Sequence, residues 1–176
     1  MSHLIRLVYV STAVDSVDLN EFKRILGTAQ QNNERRDLTG MLAFNSKVFL
    51  QGLEGSREAV NDLYAKLMRD ARHFNLMLLK YESIEMRQWS DWSMGFAAPN
   101  TENRALFLKY SAQSVFNPYG LSGDNAERLL LDLGQTSVDM QGKEAANQPL
   151  RKVAKGATPA AAAEAQAGGI FARFLR

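Results

Sequence analysis

The chain is predicted to fold as an α+β, ferredoxin-like sandwich, a βαββαββ unit with two helices on one sheet face and C-terminal helices covering the other. Three observations carry this expectation. Residues 4–11, 38–44, 48–53 and 76–84 are short, mostly apolar runs of strand length. The segments after the first and third runs instead place apolar residues at helical spacing. The resulting order, strand, helix, hairpin, helix, strand, is one that packs helices against one face of a mixed or antiparallel sheet.

The first strand is followed by a helix with Asp18 or Ser16 as N-cap and Phe22, Ile25, Leu26 and Ala29 at i, i+3, i+4 and i+7. A polar stretch, 30–37, ends it. The next strand turns at Asn45-Ser46-Lys47 into the run Val48-Phe49-Leu50-Gln51-Gly52-Leu53, a β-hairpin. Ser56 then caps a second helix, with Glu58 in its first turn and Val60, Leu63, Tyr64 and Leu67 toward the core; it is expected to stop near residues 69–72. After the strand at 76–84 come a loop with Trp89 and Trp92 and a short apolar segment, 93–97. Beyond Pro99 a helix through Leu106, Phe107, Leu108 and Tyr110, a break at Asn117-Pro118-Tyr119-Gly120, and a helix with Ala126, Leu129, Leu130 and Leu133 at core spacing are expected. After Gly134 the composition shifts to Ala, Gly, Gln and Lys, read as a flexible linker or weak helix. The organisation is therefore 1–98, a folded domain; 99–134, a helical extension; and 135–176, a tail.

Composition removes several function classes. The 176 residues contain no cysteine, which excludes disulfides, thiolate nucleophiles, iron–sulfur clusters and zinc-thiolate sites. Only His3 and His73 supply imidazoles, so metal centres and Ser-His-Asp hydrolysis have little to build on. The net charge of +2 is small: six Lys or Arg face three Asp or Glu from Gln135 onward, and fifteen face sixteen before it. A near-neutral body argues against nucleic acid as partner, and no strand carries the exposed aromatic pattern of an RNA-binding ferredoxin-like domain. Arg6 interrupts the early apolar stretch and no run approaches the ~20 residues of a membrane span, so a soluble, cytoplasmic protein is expected.

Two polar residues stand out inside apolar strands, Tyr9 and Gln51. A buried primary amide without partners costs ~1–3 kcal/mol, so Gln51 needs a polar group to meet it, from a side chain or a ligand. Each shares parity with apolar neighbours (Ile5 and Leu7; Phe49 and Leu53), which points both to one interior face. With Asn33 within reach and Ile25 available to pack on a flat ring, the set suits a heterocycle with imide-like donors and acceptors. Taken singly, each residue has an ordinary explanation: Tyr9 bonded to backbone, Gln51 on a wet edge, Asn32-Asn33 capping a helix, Arg72-His73 in a solvated loop, Trp92 and Met94 in core packing. A flavin-free interaction module in which Tyr9 and Gln51 bond each other is the rival reading.

Five segments in order, Arg6-Leu7-Val8-Tyr9-Val10-Ser11, Asn32-Asn33 with Leu38-Thr39-Gly40, Phe49-Leu50-Gln51-Gly52-Leu53-Glu54-Gly55, Asp70-Ala71-Arg72-His73 and Trp92-Ser93-Met94, resemble the BLUF domains, flavin-binding blue-light sensors, over residues 3–98. The remainder resembles the short stand-alone branch of that family. The resemblance implies FAD held non-covalently between the two helices. It also implies light-driven transfer of an electron and a proton from Tyr9, with Gln51 in the proton path and left rotated or tautomerised. Asn33 matches the amide that holds the flavin's polar edge, Asn32 its neighbour, Ile25 an apolar packing position, and Arg72 with His73 the ribityl and phosphate segment. Trp92 and Met94 match the switch segment, either of which faces the flavin in the dark. Ala29 stands where some members carry a hydroxyl. The resemblance further implies a sensor rather than an enzyme, a homo-oligomer, and an unidentified downstream signalling protein reached through changed contacts.

Overall fold

The computed structural model describes residues 3–45, 47–90, 94–97 and 104–146; Ser46, Trp92, Pro99 and the tail beyond Ala146 lie outside the described residues. The chain divides into two units, Met1–Ser137 and Val138–Arg176, the second described only as helix up to residue 146. The elements are β1 (Leu4–Ala13), α1 (Leu19–Glu34), β2 (Thr39–Phe44), β3 (Val48–Ser56), α2 (Arg57–Leu67), β4 (His73–Ile84), β5 (Gly95–Ala97), α3 (Arg104–Tyr110), a single 3-10 turn at Pro118–Gly120, and α4 (Gly123–Ala146).

One sheet forms, in the order β4-β1-β3-β2-β5. Its pairs are antiparallel except β2 with β5. The crossover through α1 sets β1 and β2 on either side of β3, the ferredoxin-like arrangement expected from element order. Both expected caps form: Asp18 accepts from the Glu21 backbone N–H at 2.8 Å and Ser56 Oγ from that of Ala59 at 3.2 Å. Each cap satisfies a helix-end donor, a contribution of ~1 kcal/mol.

Because side chains alternate across a strand, register decides which residues meet. Tyr9 lies opposite Gln51 and Leu7 opposite Leu53, while Arg6 lies opposite Glu54 and Val8 opposite Gly52. Odd-numbered β1 residues Ile5, Leu7 and Tyr9 pack with Leu38 and Val60 and, beside them, Leu63, Tyr64 and Leu67 of α2. Even-numbered Val8 and Val10, with Met41, Ala43 and Leu50, face the other way. There they meet Trp89, Phe107, Ala126, Leu129, Leu130 and Leu133, so α3 and α4 cover the second face as expected. Each large side chain so buried contributes ~1.5–3 kcal/mol.

Several boundaries differ from expectation: β1 runs to Ala13 and β3 to Ser56, beyond the expected 4–11 and 48–53. β4 begins at His73, three residues earlier than the apolar run, because pairing with β1 continues to Ala13. It is also an edge strand, with Phe74, Met77, Leu78 and Tyr81 substantially exposed. α2 ends at Leu67, short of residues 69–72. α4 runs past Gly134 to Ala146, since the following residues include good helix formers and no proline.

Close approach of two strands makes Gly40 irreplaceable: a Cβ there would sit 2.2 Å from the Gly52 carbonyl oxygen, which is backbone and cannot yield. Gly40→Ala is expected to lower unfolding free energy by ~1–3 kcal/mol or more, measured by urea denaturation.

Candidate functional site

The side chains of β1 and β3 that face α1 and α2 converge on a cavity of about 230 Å³. Its apolar wall includes Ile25, Leu42, Phe49, Leu63 and Leu67; its polar groups include Tyr9, Asn32, Asn33, Gln51 and, nearer α2 and β4, Lys66, Asp70, Arg72 and His73. An apolar pocket with a few convergent polar groups is the usual form of a small-molecule site. Its volume is below the ~300–1,000 Å³ typical of whole drug-sized ligands, so it suits a ring system with the remainder running outward.

Tyr9 and Gln51 are 2% and 6% exposed, and the Tyr9 hydroxyl donates to Gln51 Oε1 at 2.5 Å. Burial pushes the Tyr9 phenol well above its ordinary range, with Tyr64 and Asp70 adding to it, so the hydroxyl remains protonated and a donor. Tyr64 also meets the Tyr9 ring edge-on, centroids 5.6 Å apart. The Gln51 amide nitrogen, in contrast, contacts the Met94 thioether, at 3.5 Å. A thioether is a weak acceptor, so a buried NH2 group facing the cavity is left with capacity to donate. Met94 is itself buried, and its carbonyl accepts from Gln30 Nε2 at 3.1 Å, which ties β5's entry to α1.

Asn33 is 1% exposed at the end of α1, where its backbone carbonyl receives the N–H groups of Arg36 and Leu38. Helical spacing alone gave Phe22, Ile25, Leu26 and Ala29 as the core stripe. The structure buries Phe22 and Leu26 as expected, adds Asn33, and leaves Ile25 and Ala29 half-buried along the cavity. At the opposite end His73 is fully engaged, Nδ1 with Ser11 Oγ and Nε2 with the Leu67 carbonyl, both at 2.8 Å. Arg72 is held by Asp70 at 2.5 Å and by Glu21 at 3.4 Å.

A family model described as "BLUF: Sensors of blue-light using FAD" matches residues 4–95, more than half the chain. This chain belongs to the BLUF family. Among solved structures, BlsA in its photo-activated state superposes with a TM-score of 0.68 at 31% identity, covering 74% of this chain and 94% of that one. The blue light- and temperature-regulated antirepressor BluF of Escherichia coli strain K12 is 31% identical over 91 residues, 52% of this chain and 23% of that protein. The photoactivated adenylate cyclase subunit beta of Euglena longa is 30% identical over 94 residues, 53% of this chain and 11% of that protein. The chain thus spans under a quarter of those two curated relatives. The family model describes sensors of blue light, and the match to the cyclase subunit is confined to a small part of that subunit's length.

Within this BLUF domain, Tyr9, Ile25, Asn32, Asn33, Gln51, Arg72 and His73 all line one cavity. Of the two switch candidates Met94 touches Gln51, whereas Trp92 lies outside the described residues. Leu42, Leu63, Lys66 and Asp70, which the sequence reading did not place at the site, also line the cavity, as does Thr28 beside Ala29. Leu63 was legible as a core residue of α2, but nothing local marks Lys66 or Thr28 as cavity residues.

The Arg72 hydrogen bond holds the Asp70 carboxyl below its ordinary range against the opposing effect of burial. A depressed carboxylate contributes stability that is present above the unfolded value, near pH ~4, and lost as pH falls through the folded value. Thermal melts of wild type and Asp70→Asn are therefore expected to differ at pH ~6 and to converge as pH falls through the folded-state value.

Proposed function

We propose that the chain is a blue-light photoreceptor that binds FAD non-covalently and signals by a rearranged hydrogen-bond pair, Tyr9 and Gln51. The observation that carries this is the buried Gln51 amide, whose oxygen is taken by Tyr9 while its NH2 meets a thioether beside an apolar cavity. That arrangement offers a donor to a planar ligand with carbonyl acceptors. Asn33 and Asn32 would flank such a ring's polar edge, Ile25, Leu42 and Phe49 its faces, and Arg72 with Lys66 the anionic end.

When bound, the flavin supplies blue-light absorption and one-electron acceptance. Tyr9 is the donor the geometry favours. Its phenol is protonated in the dark, and on losing an electron its proton becomes strongly acidic, with Gln51 Oε1 the acceptor in line at 2.5 Å. A proton reaching that oxygen changes which Gln51 atoms donate and accept; electron and proton then return to Tyr9, so no net oxidation remains, and the amide is left rotated or tautomerised with its contact with Met94 changed. The outward signal passes to a partner protein or between protomers of a homo-oligomer, since a state change is readable only where it alters contact free energies.

The test is an absorption spectrum of the purified protein in the dark and again after blue light. Bound flavin with a reversible red shift is expected. Absence of flavin after reconstitution with FAD would return the chain to the flavin-free interaction module.

A further inference from the structure

We propose that the buried Arg6–Glu54 pair is a two-sided latch. One side holds α4 on the sheet, the other holds the backbone of Gln88 and of Trp89, whose ring lies against Gly52 beside Gln51, and loosening either side loosens the other. As a route for the light signal, this rests on the photoreceptor reading; as a mechanical link it stands on the side chains themselves.

Arg6 and Glu54 are 4% and 0% exposed, on the sheet face opposite the cavity. Arg6 Nε and Nη2 both donate to Glu54 Oε1, at 2.9 and 2.7 Å, and Nη1 donates to Glu127 Oε1 of α4 at 2.5 Å. Glu82 of β4 takes a longer bond from the same nitrogen, 3.2 Å. Glu127, also buried, shares its other oxygen with Lys80 Nζ, which reaches Asp124 and Glu82 as well. One guanidinium therefore stands between a carboxylate of the sheet and a carboxylate of the helix.

The second side is backbone. Glu54 accepts the Gln88 N–H on both oxygens and the Trp89 N–H on Oε2, each at 3.0 Å. Trp89 is buried with its ring against Gly52, the residue after Gln51, and with Arg6 5.5 Å from its ring centre. Its indole N–H has no partner among the described residues, so polar attachment of this residue comes through its backbone bond to Glu54. Met94 also touches Gln51.

Charge conservation within a dry site links the two sides. If Gln88 and Trp89 withdraw their N–H groups, Glu54 loses three of its bonds and draws the guanidinium closer, at the expense of Glu127. If Glu127 leaves, Arg6 keeps unspent donors that compete for the Glu54 oxygens now serving the backbone.

The test is amide hydrogen exchange on the full chain in the dark, comparing wild type with Glu127→Gln and with Asp132→Asn. The second variant removes the charge that Lys109 and Tyr110 meet at Asp132 and so loosens the helical cap without touching the latch. Glu127→Gln is expected to speed exchange at Gln88 and Trp89 by about 5–150-fold, the span of an ordinary coupling free energy, and Asp132→Asn to leave those amides unchanged. Unchanged exchange there in Glu127→Gln, or equal acceleration in both variants, would overturn the latch. Glu127→Asp, which withdraws the carboxylate by one methylene, takes its place if the amide variant does not fold: faster exchange at the two amides supports the latch and unchanged exchange overturns it. A missing red shift under blue light would defeat the photoreceptor reading and leave this dark measurement unaffected.

Discussion

Tyr9→Phe is expected to keep flavin bound and to abolish the light-induced red shift. The substitution preserves the ring that meets Tyr64 edge-on and the apolar contacts with Ile5, Leu7 and Val60. What it removes is the hydroxyl that donates to Gln51 Oε1, and with it the proton that must leave when the ring is oxidised. It also strands a buried amide oxygen, a cost of ~1–3 kcal/mol that should appear in a thermal melt of the flavin-free protein. Gln51→Leu attacks the same pair from the other side. It too should bind flavin without the shift, measured as a dark-minus-light difference spectrum. A normal shift in either variant would sink the assigned roles, whereas loss of flavin from both would say that the pair is needed chiefly to build the cavity.

The largest effect on stability is expected from Glu54→Ala, by ~3–5 kcal/mol, because it leaves Arg6 as a buried cation with its main partner gone. The same change takes away the carboxylate that accepts the Gln88 and Trp89 N–H groups. Equilibrium unfolding in urea reads the loss directly, and a wild-type midpoint would show that solvent enters freely at this point. Glu54→Gln should cost less. It keeps an acceptor oxygen for the backbone while removing the charge, so the difference between the two variants separates backbone capping from ion pairing.

Much of this molecule was legible in the residues. Strand alternation put Tyr9 and Gln51 on one face, and the register aligns them as direct cross-strand partners. The stripe Ala126, Leu129, Leu130 and Leu133 announced a helix with a core to cover, and it covers the second sheet face. Ser56 marked the start of α2, and Asp18, one of two candidates with Ser16, caps α1. These features are local: they depend on the period of side chains along an element, which any short window contains.

Other features were decided only when distant segments met. Arg6 reads in sequence as a charge interrupting an apolar strand, and its meaning lies in carboxylates 48 and 121 residues away. Glu54, within a motif, gave no sign that it would cap the entry to a segment 34 and 35 positions further on. Met94 became the residue facing Gln51 through the folding of β5 beside β2, and Lys66 joined the cavity rim because α2 happens to end there. By itself the sequence determined the element order, the two-faced sheet and the shared face of Tyr9 and Gln51, because periodicity is written in neighbouring residues. Which buried charges share a partner, and which side chain completes the amide's surroundings, were settled by tertiary packing, because a desolvated polar group takes its partner from whatever the fold brings within hydrogen-bond reach.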